Sequence, residues 1–95
     1  MALRIVWTKR AEKGFDNIVE YLVSNFSDRD VRRFVLQSHR FFELLTEYPE
    51  LLPRTNRHKN LRRGPLNKYT ILTYQIKPRK GEIVLINIRS ARKSP

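Results

Sequence analysis

Four arginines, Arg62, Arg63, Arg89 and Arg92, lie in a stretch of chain with almost nothing to neutralise them. Residues 51–95 carry twelve lysines and arginines against Glu82 alone, so the whole net charge of +11 falls there, while residues 1–50 balance eight basic groups with eight acidic ones. Local pairing satisfies one or two of those cations at most, and the remainder need a complement from outside the chain: nucleic acid or an acidic protein. Lys59, Lys68 and Lys93 extend the same patch. The chemistry such groups support is electrostatic, because a guanidinium is a far weaker acid than a catalytic proton carrier needs to be, so it clamps an anion well and moves protons poorly. Of the two histidines, His58 lies between Arg57 and Lys59, where like charge disfavours its protonated form. His39, near Gln37 and Arg40, reads as a solvent-facing or boundary residue. With no cysteine there is no disulfide framework and no thiolate site, and two separated histidines do not make a zinc site. The sequence calls for no metal and no cofactor.

These cations have to be positioned by a small set of elements. Ninety-five residues of ordinary globular composition are expected to form one domain over 1–95 with a single core. No apolar run reaches the roughly 20 residues that span a bilayer, and the N-terminus lacks the layout of a secretory signal, so a soluble, cytoplasmic chain with no membrane contact is expected. Leu3, Ile5 and Trp7 alternate as a short strand, and Thr8 has the character of a helix N-cap. From Lys9 to about Asn25, Ala11, Phe15, Ile18, Val19, Leu22 and Phe26 recur at three and four and form one helical stripe, with Gly14 as a slight weakness. Ser27 and Asp30 have the spacing of a capping box for a second helix. Its stripe is Val31, Phe34, Val35, Ser38, Phe41, Phe42, Leu45 and Tyr48, ended by Pro49.

After a loop from Pro49 to Asn60, in which Leu51 and Leu52 are expected to tuck under the helices, the period changes to two. A brief strand at 59–63, turn chemistry at Gly64-Pro65 and Asn67, an alternating run from Lys68 to Ile76, a hairpin loop at 77–81 and a last strand from Glu82 to Arg89 complete the pattern. The order predicts an α+β fold: an N-terminal strand and an antiparallel helical hairpin on one face of a mainly antiparallel sheet, completed by a C-terminal three-stranded meander. Parity places Leu72, Tyr74 and Ile76 with Val84, Ile86 and Ile88 on the covered face. The uncovered face then takes Tyr69, Ile71, Thr73 and Gln75 with Ile83, Leu85, Asn87 and Arg89, rimmed by Arg62, Arg63, Arg92 and Lys93: a basic groove. Trp7, Phe15, Phe34, Phe41 and Phe42 read as core by their spacing, and Tyr69 as the better candidate for stacking on a base.

Several ordered pieces now add up. They are Trp7-Thr8 with Ala11, Ile18 and Tyr21; Tyr48-Pro49-Glu50-Leu51-Leu52-Pro53; Leu61-Arg62-Arg63; Tyr69 to Tyr74; Ile83 to Ile88; and the closing Arg92-Lys93-Ser94-Pro95. In that order, over nearly the whole chain, they resemble the RelE/ParE superfamily of toxins from type II toxin–antitoxin modules. The resemblance implies a growth inhibitor held inactive by a cognate acidic antitoxin. It also implies one of two targets. RelE-like members cleave mRNA on the ribosome, which needs cations around a charged phosphorane and a group to move protons; ParE-like members poison DNA gyrase. In the RelE pattern an arginine stands three residues before the strand tyrosine that Tyr74 matches, and here that position is Ile71. Cleaving members also carry a histidine or tyrosine near the C-terminal end, where this chain has Ser90 to Pro95. Both departures favour the ParE side. If the chain cleaves RNA, Lys59, Arg62, Lys68, Arg89 and Arg92 are the candidate catalytic cations; a toxin with another target or weakened activity, and a plain RNA-binding module, are the remaining alternatives. Binding of target or antitoxin is expected at Arg62, Arg63, Tyr69, Thr73, Asn87, Arg89, Arg92 and Lys93.

Overall fold

A computed structural model describes residues 3–55 and 60–91. Strand β1 (Arg4–Trp7) leads into helix α1 (Lys9–Asn25), a second helix α2 (Asp28–Glu47) returns antiparallel, and three strands follow: β2 (Leu61–Asn67), β3 (Thr70–Lys77) and β4 (Glu82–Ser90). The sheet order is β1-β4-β3-β2, with β1 parallel to β4 and the other pairs antiparallel. Both helices pack on one face, which gives the expected α+β architecture.

Local chemistry sets the boundaries. Thr8 caps α1 by accepting from the Ala11 N–H, and its own hydroxyl donates to the Leu85 carbonyl at 2.7 Å, so one residue starts the helix and fastens it to β4. Ser27 and Asp30 close a reciprocal capping box at the start of α2. The box holds the Asp30 carboxyl below its ordinary pKa, chiefly through the hydrogen bond with the Ser27 side chain. Trp7, Phe15, Phe34 and Phe42 meet as a chain of ring contacts at 5.3–5.4 Å, which joins β1 to both helices. Beneath them, Leu45, Leu72, Tyr74, Ile83, Leu85 and Ile88 are buried. Ser38, inside the apolar stripe, is also buried and satisfies its hydroxyl on the Phe34 carbonyl.

Four expectations are corrected. The covered face of β4 carries Ile83 and Leu85 rather than Val84 and Ile86, because the ladder shifts by one residue between Thr73 and Tyr74: Thr73 pairs with Asn87, whereas Tyr74 pairs with Leu85. Ile86 is the extra residue of a β-bulge, and the inward set becomes Ile83, Leu85, Ile88. Gly64 and Pro65 lie inside β2, which runs from 61 to 67. Pro65 is tolerated there because β2 is an edge strand, and the turn falls at Lys68-Tyr69, where Asn67 Oδ1 accepts the Tyr69 N–H. Leu52 is buried but Leu51 is 43% exposed. Tyr48 and Phe26, counted with the helix stripes, are the residues that cap their C-termini and stand 59% and 46% exposed.

Candidate functional site

Two surfaces bring the candidate residues together. The first is the sheet face that no helix covers. Cross-strand partners share a face, so the ladder places Arg63, Thr73 and Asn87 in one row and Pro65, Ile71 and Arg89 in the next, with Leu61, Gln75 and Val84 beyond. Thr73 and Asn87 therefore stand where the sequence placed them, between two exposed arginines. This surface has a polar centre and cationic flanks, and none of the residues in those three rows is aromatic.

The second surface is a groove of about 780 Å³ on the helix side, at the end of the sheet where the β2–β3 turn and the last residues of β4 meet the helical hairpin. Its walls are Ile18, Tyr21 and Leu22 of α1, Phe26, and Phe34 of α2, with Tyr69 and Ile88 from the sheet end. Arg33, Lys68 and Arg89 stand at its rim together with Asp30, so that Arg89, near the end of β4 and paired with Ile71, borders both surfaces. Nothing in the period-two or period-3.6 patterns announces such a groove, since it forms where the outer half of α1 and the start of α2 meet the end of the sheet. The exposed Tyr21 and Phe26, whose rings lie 6.1 Å apart, were its available signal.

The candidates divide between these surfaces and the interior. Tyr69 is not on the open face: it occupies the β2–β3 turn, 58% exposed, with Lys68 Nζ 5.6 Å from its ring centre. Arg62 is not on that face either. It pairs with Tyr74 on the helix side, and its Nη1 donates to the Leu52 carbonyl at 2.6 Å, so its charge is engaged within the chain. Tyr74 itself is fully buried, donates its phenolic proton to the Pro49 carbonyl at 2.6 Å and accepts the Leu52 N–H. Burial pushes that phenol above its ordinary pKa, against the opposing pull of the Leu52 N–H and Arg62. Lys59 and His58, with Arg92 and Lys93, lie outside the described residues. His39 is exposed on α2, its ring 6.3 Å from Phe42. Among the described residues no group of three His, Asp or Glu side chains converges as a metal site, and no helix is long and apolar enough to cross a membrane.

A helical hairpin laid on one face of a four-stranded mixed sheet is the fold of RelE/ParE-like toxins. The chain belongs to the family described as ParE toxin of type II toxin-antitoxin system, parDE, which it matches over residues 5–95. Its fold is similar to the chromosomal ParDE toxin–antitoxin system from P. aeruginosa, with TM-score 0.76 and 16% identity over 96% of this chain and 98% of that one. It is similar also to the toxin–antitoxin complex RelBE2 from Mycobacterium tuberculosis, at TM-score 0.66 and 14% identity over 98% and 95%. A conserved hypothetical protein from Helicobacter pylori follows at 0.57 and 22%, over 94% of each chain. No protein of curated function matches the sequence.

Proposed function

We propose that this toxin acts in the ParE manner, arresting growth through DNA gyrase rather than cleaving mRNA, and that a cognate acidic antitoxin keeps it inactive in the cytoplasm. The observation that carries the target reading is the surrounding of Ile71. That residue occupies the position of the arginine in cleaving members and lies on the open face between Pro65 and Arg89. Its neighbours Thr73, Gln75 and Asn87 carry no charge, while the guanidinium groups of Arg63 and Arg89 clamp anions well and serve poorly as bases. The strand tyrosine, Tyr74, points to the other side and is committed to the Pro49 carbonyl. Among the described residues of that face, cations can clamp a phosphate but no side chain is suited to pass a proton.

The groove supports the antitoxin half of the proposal. Its apolar walls suit the buried stripe of an amphipathic segment, and the cations at its rim suit carboxylates on that segment's flanks. Charge complementarity between a chain of net +11 and an acidic partner speeds their encounter.

The test is a pulse-label experiment after tightly controlled induction without the antitoxin, comparing thymidine and methionine incorporation over the first minutes. Thymidine incorporation is expected to fail first. Earlier failure of methionine incorporation would replace the gyrase reading with ribosome-directed cleavage and return attention to Lys59, Lys68 and Arg89.

A further inference from the structure

The edge of a sheet presents a row of unpaired N–H and C=O groups that invites another strand, and proteins cover or interrupt such rows. The outer edge of β2 is engaged at two of its outward groups and lacks a donor at a third position. Its outward main-chain groups fall on Leu61, Arg63 and Pro65, the alternate residues being turned toward β3. The Leu61 carbonyl accepts the Thr55 N–H at 2.9 Å, and the Arg63 N–H donates to the Pro53 carbonyl at 3.1 Å. At position 65 a proline has no N–H to offer. Residues 53–55 thus act as the stub of a fifth strand, with Arg54 bridged antiparallel to Arg62.

Such a stub does not hold itself in place, since ordering three surface residues costs more than two exposed hydrogen bonds return. Its anchor lies immediately upstream. Tyr74 holds Pro49 through its hydroxyl proton and Leu52 through its hydroxyl oxygen, at 2.6 and 3.3 Å. Arg62, the cross-strand neighbour of Tyr74, holds the Leu52 carbonyl at 2.6 Å. The Leu52 side chain in turn lies over Gly64, where an added β-carbon would come within 2.8 Å of Leu52 Cδ2.

We propose that Arg62 and Tyr74 form a latch that holds Pro53–Thr55 as a removable cover on the outer edge of β2, and that this cover keeps the edge from pairing with β2 of a second copy of the chain. Arg62 is then a positioning residue, acting through the strap it fastens. The latch is a feature of the fold itself and stands or falls independently of the toxin's target.

Amide hydrogen exchange and sedimentation on Tyr74→Phe and on the double variant Arg62→Met/Tyr74→Phe test this. The single variant keeps the buried ring and guards against loss of the fold. Exchange at the Thr55 and Arg63 amides is expected to rise about tenfold in the single variant and further in the double one, with Leu72 and Leu85 unchanged. The double variant is expected to self-associate with rising concentration at about 0.5 M salt, where repulsion between the facing arginines of two copies is screened. Unchanged exchange at the two edge amides, or an equal rise throughout β3 and β4, would overturn the latch. An opened edge in a protein that stays monomeric would overturn the role of the cover.

Discussion

Gly14 sits where α1 crosses β4, and a β-carbon there would lie 2.0 Å from the Ile88 carbonyl oxygen. Helix propensity alone would make alanine the better residue by about 1 kcal/mol. The close approach reverses that preference, because the obstacle is backbone and cannot rotate away. Gly14→Ala is therefore expected to destabilise the protein by about 1–3 kcal/mol, read as a lower urea midpoint with an unchanged slope. From the sequence this glycine reads as a minor flaw in a helix, since nothing local reveals which strand will pass beneath it. Arg62 is a second case of the same kind. Its charge and its place in Leu61-Arg62-Arg63 are visible in the sequence, but only the pairing with Tyr74 shows that its guanidinium is engaged inside the molecule.

The elements themselves were largely legible, because their boundaries rest on chemistry that acts over three or four residues. The capping box of α2 is the clearest example, and it makes a pH-dependent contribution. Asp30 titrates below 3.8 in the folded chain, so its stabilisation is present above about pH 4 and is lost as the pH falls through that value and below. Thermal unfolding should find wild type more stable than Asp30→Asn at pH 6, with the difference shrinking as the pH falls below about 4. The face assignment of β4 was not legible, because alternation carries no mark of where an extra residue enters. The bulge at Ile86 makes a discriminating expectation: Leu85→Ala should cost about 2–5 kcal/mol and Ile86→Ala about 1 or less, by chemical denaturation. Regular alternation through Val84, Ile86 and Ile88 would require the opposite ranking. Gly64-Pro65 escaped recognition for a related reason, since turn chemistry and an edge strand bearing a proline look alike until the neighbouring strand is in place.

At the scale of the whole molecule, the polarised charge was readable from residue counts, but the groove that would use it was not, being assembled from α1, α2, the β2–β3 turn and the end of β4. Because Arg62 is engaged internally, charge reversal there would confound binding with loss of the strap. Arg33 and Arg89 are the cleaner pair. Arg33→Glu/Arg89→Glu is expected to weaken antitoxin binding tenfold or more at low salt, with the difference from wild type shrinking as salt rises, in a calorimetric or anisotropy titration. The bulge in β4 also bears on how kinship is reckoned across this superfamily. Deleting codon 86 would restore a regular strand with Ile83, Leu85 and Ile88 still inward, so a relative lacking that residue can share the fold while its alignment needs a one-residue gap at Ile86. An ungapped alignment anchored on Ile83 would shift every correspondence from Asn87 onward by one, and Arg89 would be credited with another residue's ancestry.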